Sequence, residues 1–151
     1  MMTDIDYIAR KVAVRVQKLL FHGYTKQNGV KGINSVDIPV LIAQGIDDKT
    51  ITYNGQSITA HKDEITNPNV HYYIGKGLQG SHYGIWHSVE SLLYQNEIES
   101  ELKLKQMEKG EKLSHEEKVE YYKTVNHKLY SAVNTDLMQQ VIDMFDGTLM
   151  R

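Results

Sequence analysis

The residues best suited to binding or chemistry lie between Val70 and Leu93, in the stretch VHYYIGKGLQGSHYGIWHSVESLL. It combines spaced glycines, several histidines and the only tryptophan of the chain. Glycine lets the backbone approach a bound group closely, and the free N–H groups at a helix start attract anions. We therefore predict a ligand-binding set at a strand-to-helix junction: Gly75, Lys76, Gly77, Gly80, Ser81 and His82.

The segment Gly75–Gly80, GKGLQG, resembles the GxGxxG fingerprint of dinucleotide-binding domains. The resemblance covers only this loop and its flanks, and it implies a nucleotide or another phosphate-containing ligand. A complete dinucleotide-binding fold is not predicted, because no second parallel strand follows and the expected acid falls inside a helix near Glu97. Two interpretations stay open: an anion-binding loop, or a tight turn whose glycines adopt positive φ.

A second group of side chains follows on the predicted helix and is predicted to form an interaction surface: Tyr83, Trp86, His87 and Glu90. Tyrosine and tryptophan combine an apolar body with a polar tip, which suits interfaces. His82, His87 and Glu90 could also approach a metal, but they form no closed ligand motif, so we predict no metal site. No nucleophile–base–acid motif is recognisable either, and no catalytic residue is assigned.

Basic residues on the first helix give a weaker prediction of nucleic-acid contact: Arg10, Lys11, Arg15 and Lys18. The net charge of −2 and the absence of aromatic residues interleaved with these bases argue against it. Nucleic acid is therefore not an expected partner.

The hydrophobic pattern predicts a helix over Thr3–Leu20, with one buried face formed by Ile5, Ile8, Val12, Val16, Leu19 and Leu20. Asp37–Gln44 could be a helix or a strand, and the helix is preferred because Pro39 would remove a ladder donor. Lys49–Ala60 is predicted to form a hairpin around Asn54-Gly55, and Val70–Ile74 a third strand beside it.

Helices are predicted for the remainder. One spans His82–Met107, a capping box at Ser114 and Glu117 begins the next, and Asn134 restarts a shorter one. Residues 1–151 are thus expected to form a single α+β domain. Its parts are an N-terminal helix, a small antiparallel sheet of a hairpin plus a third strand, and a C-terminal layer of about three amphipathic helices.

The composition suggests a small intracellular protein. There is no cysteine, which is compatible with a reducing compartment, and residues 1–11 lack the apolar core of a secretory signal. No apolar run is long enough to span a membrane. We predict a cytoplasmic, non-enzymatic binding protein, with a phage-encoded inhibitor acting in the host cytoplasm as one form. The alternative is a nucleotide- or phosphate-binding protein, with hydrolase or transferase activity as one possibility. Its cofactor is not identified, and a homodimer is plausible.

Overall fold

The computed structural model describes residues 4–21, 28–55 and 57–147, which form a mixed helix and strand architecture. Its helices and strands, in chain order, are α1 (Asp4–Phe21), α2 (Gly29–Asn34), β1 (Val40–Gly45), β2 (Val70–Gly75), α3 (Val89–Lys109), α4 (His115–Tyr122), α5 (His127–Tyr130) and α6 (Thr135–Phe145). Short 3₁₀ helices occupy Ile58–Glu64, Gly77–Gly80 and Gly84–Trp86. Within the described ranges, no helix is both long and apolar enough to cross a membrane.

The sheet of the described residues consists of β1 and β2, which run parallel. Val40 lies opposite Val70, and Gly45 lies opposite Gly75. The predicted antiparallel sheet is therefore wrong, although Val70–Gly75 is a strand as expected. Parallel neighbours require a long crossover, which the segment 46–69 provides. As a result, the carboxyl ends of both strands lie side by side.

The preference for a helix over Asp37–Gln44 is also wrong. Pro39 stands just outside the strand, and the first ladder donor is the N–H of Val40, which reaches the Asn69 carbonyl at 3.0 Å. Proline before the first paired residue removes no ladder hydrogen bond. The β-branched Val40 and Ile42 are then free to occupy the extended conformation that they favour.

The predicted hairpin at Asn54-Gly55 does not form. The turn itself is present, because the Gly55 N–H donates to the Thr52 carbonyl at 3.0 Å. Beyond the turn, the Ser57 hydroxyl donates to the Tyr53 carbonyl at 2.8 Å, and the Thr59 hydroxyl, which donates to the Gln44 side chain, lies 3.1 Å from the same carbonyl. Such side-chain hydrogen bonds offer the backbone an alternative to a ladder, and the chain enters a 3₁₀ helix instead of a second strand.

Helix α3 begins at Val89, not at His82 as predicted. Ser88 caps it by accepting a hydrogen bond from the Ser91 N–H at 3.1 Å. His87 is extended and forms an isolated antiparallel bridge with Val133, while the Ser88 N–H donates to the Ala132 carbonyl at 2.9 Å. This pairing to a distant segment holds His87 out of the helix, so α3 cannot extend back through it.

The C-terminal helices enclose a small core of Ile98, Leu102 and Val125, covered by several tyrosines. The capping box of Ser114 and Glu117 is confirmed, and so is the helix start at Asn134. The Asn134 side chain is buried and donates to the Tyr73 hydroxyl at 2.8 Å and to the Ile85 carbonyl at 2.9 Å. Asn134 thereby attaches α6 to β2 and to the 3₁₀ helix Gly84–Trp86.

The N-terminal helix is confirmed as α1, but the prediction of a buried apolar face is wrong. Its apolar side chains that the structure describes are exposed: Ile8, Val12, Val14, Val16, Leu19 and Leu20. Thr3 and the Ile5 side chain lie outside the described part. The periodicity thus identified the helix correctly, and the partner of its apolar stripe is not found among the described residues.

Candidate functional site

The glycine segment does not lead into the start of an α-helix. After β2 the chain turns through Gly77–Gly80 and Gly84–Trp86, both 3₁₀ helices. A Cβ added to Gly75 would lie 2.3 Å from the Gln79 carbonyl oxygen, so the space beside this glycine is filled by the chain itself. Gly77 has a positive φ of 59°, and the space beside it is open. These features support the tight-turn interpretation.

Gly45 lets this segment pack on the end of β1, and Gly84 lets the segment pack closely on itself. A Cβ on Gly45 would meet the Gly80 carbonyl oxygen at 2.1 Å, and one on Gly84 would meet the Leu78 carbonyl oxygen at 2.3 Å. The backbone of Asp47 also donates to the Gly80 carbonyl at 2.9 Å. This packing holds the residues after Gly80 against the carboxyl end of β1.

A cavity of about 330 Å³ lies at that end of the sheet. Its lining contains Ala43, Gln44, Gly45, Asp48, Ile51, Ser57, Ile58, His82, Ile85 and Trp86. Parallel α/β sheets commonly bind ligands beyond the carboxyl ends of their strands, and small-molecule sites combine mostly apolar walls with a few polar groups. Its position and composition make this cavity the candidate site.

The main polar feature of the cavity is the pair formed by His82 and Asp48. The His82 Nδ1 lies 2.8 Å from the Asp48 Oδ2. The other carboxylate oxygen accepts the backbone N–H groups of Thr50 and Ile51, both at 2.8 Å. Burial raises the pKa of this carboxyl, but its hydrogen bonds with Ile51 and His82 outweigh that effect and hold the pKa below 3.8.

An ionised Asp48 fixes the orientation of the His82 ring and, when the ring is neutral, also its tautomer. Because a carboxylate only accepts hydrogen bonds, Nδ1 carries the proton and donates it to Asp48. The Nε2 of neutral His82 is then an acceptor, and no described residue forms a hydrogen bond with it. About a third of the His82 side chain is accessible, so a bound molecule can reach this ring.

Other polar side chains in the wall of the cavity already form hydrogen bonds within the protein. Gln44 donates to the Ile51 carbonyl at 2.7 Å and accepts from the hydroxyl of Thr59. The Ser57 hydroxyl lies 2.8 Å from both the Tyr53 carbonyl and the Thr59 hydroxyl. These bonds hold the wall in place and leave the His82 ring as the polar group best placed to contact a ligand.

Two exposed aromatic side chains flank the pair. Trp86 lines the cavity and is 51% exposed, while Tyr83 is 75% exposed and packs edge-on against the His82 ring, with 4.8 Å between ring centroids. Trp86 thus stands at the boundary between the cavity and solvent. Tyr83 lies outside the lining of the cavity.

The remaining predicted site residues are not brought together. Lys76, Ser81 and Glu90 are exposed and do not line the candidate cavity, and the Ser81 hydroxyl accepts the Gly84 N–H at 3.0 Å. His87 is half-buried, and its Nδ1 lies 3.4 Å from the Gln95 amide. The described residues contain no group of three or more His, Cys, Asp or Glu able to hold a metal ion.

The basic residues of α1 belong to a different part of the chain. Lys11, Arg15 and Lys18 are exposed, and none of them lines the cavity. The Arg10 side chain lies outside the described part. The weak prediction of nucleic-acid contact is therefore unrelated to the candidate site.

The sequence pattern missed Asp48 and Gln44, which are central to the site. The segment Asp-Lys-Thr-Ile, which begins at Asp48, has a composition that favours a turn in which aspartate binds N–H groups two and three residues ahead. That signal could have predicted a fixed Asp48. No local signal could have paired it with His82.

Comparison of the chain with protein-family models, with curated proteins and with solved structures gives no significant match. Any functional conclusion therefore depends on the geometry of the site.

Proposed function

We propose that this chain is a non-enzymatic binding protein that holds a neutral, planar heteroaromatic ring of the nucleobase class in the cavity beside His82 and Trp86. The observation that carries the proposal is the combination of three surfaces in one cavity. One is the indole of Trp86, the second is the Nε2 of His82, which accepts a hydrogen bond when the ring is neutral, and the third is an apolar wall.

Each surface restricts the ligand in a different way. The indole of Trp86 favours a flat ring that can stack on it. The His82 acceptor favours a ring that carries an N–H donor, because Nδ1 is already committed to Asp48. The apolar side chains of Ile51, Ile58 and Ile85 disfavour a charged group inside the cavity. Nucleobases combine flatness, neutrality and N–H donors.

The earlier expectation of a nucleotide or phosphate ligand is thereby modified. No lysine or arginine is among the described residues that line the cavity, and Lys76 is exposed outside it. A phosphate group would accordingly lie outside the cavity, and the base would be the part recognised. The absence of cysteine is compatible with our further proposal that the protein acts in the cytoplasm.

Trp86 is the only tryptophan of the chain, so its fluorescence reports on the site directly. Titration with adenine, guanine, uracil and adenosine should give saturable quenching for at least one of them. Trp86→Ala, followed by calorimetry, should weaken that binding roughly tenfold or more, because stacking of one base contributes about 1–3 kcal/mol. His82→Ala should weaken it several-fold, since the hydrogen bond contributes about 1 kcal/mol.

Tyr83→Ala is the matched control, because Tyr83 is exposed beside His82 but does not line the cavity. It should retain binding. If none of the four probes changes the Trp86 fluorescence at millimolar concentration, the proposal is wrong. Saturable binding of pyrophosphate that Gly77→Ala abolishes would favour the loop of Gly75–Gly80 as a phosphate site instead.

A second candidate function is binding to a protein partner, such as a phage inhibitor would show. The exposure of Tyr83 and Trp86 favours it, because aromatic anchors carry much of the energy of interfaces. In that case Tyr83→Ala should abolish recovery of a stoichiometric partner from lysate, whereas the cavity proposal expects it to have no effect on ligand binding.

A further inference from the structure

Helix α1 carries a continuous apolar stripe on one side. Ile8, Val12, Val16 and Leu19 follow one another at intervals of three and four residues, which places them on the same side of the helix. Over this length the stripe extends about 16 Å along the helix axis. Every side chain of α1 that the structure describes, at positions 8, 9 and 11–20, is exposed. The described residues therefore leave the stripe uncovered.

A row of basic residues follows one edge of this stripe. Lys11, Arg15 and Lys18 are also separated by four and three residues, so they lie on one side of the helix. Arg15 stands at the edge of the stripe, four residues before Leu19. Residues 9–21 contain no acid. The stems of such side chains can lie along an apolar surface while their charged groups reach an anion or water.

The exposed apolar residues of α3 and α6 do not match the stripe of α1. On α3 they form two separate pairs, because the polar Asn96 and Ser100 occupy the same side of the helix between them. The pairs are Val89 with Leu93 and Leu104 with Met107. On α6 the exposed large apolar residues are Ile142 and Phe145. Neither helix offers a continuous apolar surface as long as the stripe.

We infer that α1 lies in the plane of a membrane surface that contains anionic lipids. The apolar stripe enters the boundary between headgroups and acyl chains, and the basic row binds the anionic headgroups. A lipid surface is continuous and offers both kinds of contact, whereas a nucleic acid would attract the bases and leave the stripe in water. Binding of this kind needs no helix that spans the bilayer. It is independent of the ligand proposed for the cavity, because no residue of α1 is among those that line it.

The test is co-sedimentation of the full chain with lipid vesicles. One set of vesicles contains phosphatidylcholine alone, and the other contains phosphatidylcholine mixed with phosphatidylserine. The wild type should bind the mixed vesicles and bind the neutral ones much more weakly. Added salt should weaken binding to the mixed vesicles, because it screens the attraction between exposed bases and headgroups.

Neutralising part of the basic row tests the electrostatic contact. The double variant R15Q/K18Q should bind the mixed vesicles about twentyfold more weakly, because each base near an anionic surface contributes about fivefold in affinity. The matched control is K112Q/K118Q, which removes two exposed lysines outside α1 and changes the net charge equally. This control should bind the vesicles as the wild type does.

Two valines of α1 provide a matched pair for the apolar contact. Val16 belongs to the stripe and is 47% exposed, whereas Val14 is 42% exposed and lies on the opposite side of the helix. Val16→Glu should weaken vesicle binding roughly thirtyfold or more, because it places a charge among acyl chains. Val14→Glu changes the net charge equally and should weaken binding about fivefold at most. Circular dichroism without vesicles should show the same helix content in both variants.

Three results would overturn the inference. The first is a wild-type chain that binds neither kind of vesicle, and the second is an equal loss of binding in Val14→Glu and Val16→Glu. The third is a wild-type chain that associates with itself without vesicles, measured by light scattering, and that Val16→Glu makes monomeric. In that case a second copy of the chain covers the stripe.

Discussion

Asp48 and His82 are 34 residues apart in the sequence, and a hydrogen bond of 2.8 Å joins the Asp48 Oδ2 to the His82 Nδ1. The bond connects the crossover after β1 to the segment after β2. Because Asp48 is also held by two backbone N–H groups, the position of the His82 ring is determined by β1 and the turn that follows it.

The lowered pKa of Asp48 makes an acid-sensitive contribution to stability. A carboxyl whose pKa is lower in the folded state stabilises the protein above its unfolded pKa, and this contribution is lost as the pH falls through the folded pKa. Asp48→Asn should therefore show a smaller decrease in Tm than the wild type when the pH falls below the ordinary pKa of 3.8. Thermal unfolding between neutral and strongly acidic pH measures this difference. Identical pH dependences in the two proteins would contradict it.

The glycines of the site should differ sharply in their tolerance of alanine. At Gly45 the added Cβ would overlap the Gly80 carbonyl oxygen at 2.1 Å, and this backbone atom can move only if the 3₁₀ helix Gly77–Gly80 shifts away from β1. We expect Gly45→Ala to lower the free energy of unfolding by about 3 kcal/mol or more. Gly77→Ala meets open space and should cost only about 1–2 kcal/mol for its positive φ. Urea unfolding of both variants tests this order, and an equal cost would argue against the close packing of β1 on the turn.

Asn134 should be the most sensitive of the helix caps. It caps α6 through the Leu137 N–H and also donates to the Tyr73 hydroxyl and the Ile85 carbonyl. Asn134→Ala removes a cap and leaves buried polar groups unsatisfied, so it should cost about 2–4 kcal/mol in unfolding free energy.

Asn126→Ala is the matched control for that prediction. Asn126 caps α5 in the same way, through the Leu129 N–H at 3.2 Å, but in an exposed position. It should cost only about 1 kcal/mol. Chemical denaturation measures the loss of unfolding free energy in both variants. Equal losses would show that the hydrogen bonds to Tyr73 and Ile85 contribute little.

Tyr121 should titrate far above an ordinary tyrosine. Burial and the 2.6 Å hydrogen bond from its hydroxyl to Glu101 raise the pKa of Tyr121 to about 12. Glu101→Gln removes the carboxylate and should bring this pKa closer to 10.0, while the effect of burial remains. NMR titration of the tyrosine rings, with Tyr121 assigned through Tyr121→Phe, measures the change.

The sign of the linked stability effect follows from the raised pKa. The contribution of neutral Tyr121 is complete below pH 10 and is lost as the pH rises through about 12. Alkaline unfolding should therefore depend less steeply on pH in Glu101→Gln than in the wild type. Glu97→Gln, an exposed substitution on the same helix, should behave as the wild type does.

Features that depend on neighbouring residues were predictable from the sequence. The capping box at Ser114 and Glu117 and the cap at Asn134 join residues three apart, and the hydrophobic period of α1 is a property of one helix. The residues that would cover the apolar side of α1 were not predictable, because periodicity shows which side of a helix is apolar and does not show what packs against it. The apolar side of α1 was predicted to be buried, and the described side chains on it are exposed.

The antiparallel sheet was mispredicted because side-chain and backbone contacts with other segments compete with the predicted strand pairing. Ser57 and Thr59 have side chains suited to a strand, yet their hydroxyls bind the Tyr53 carbonyl and the Gln44 amide. His87 appeared helical in the sequence and is held extended by Val133. The cavity depends on the same long-range contacts, so the sequence identified His82 and Trp86 but not Asp48 or Gln44.

The parallel pairing of β1 and β2 also has a consequence for the order of folding. The hydrogen bonds within α3 join residues that are neighbours along the helix, whereas the sheet pairs Val40 with Val70 and forms only after the ends of the 46–69 crossover meet. Closing such a loop has an entropic cost that the hydrogen bonds of one helix do not share, and nonlocal contacts form slowly. The cavity should thus be completed after α3 has formed and should open before α3 unfolds. Hydrogen exchange should accordingly be faster at Val40–Gly45 than at Ile98–Leu102.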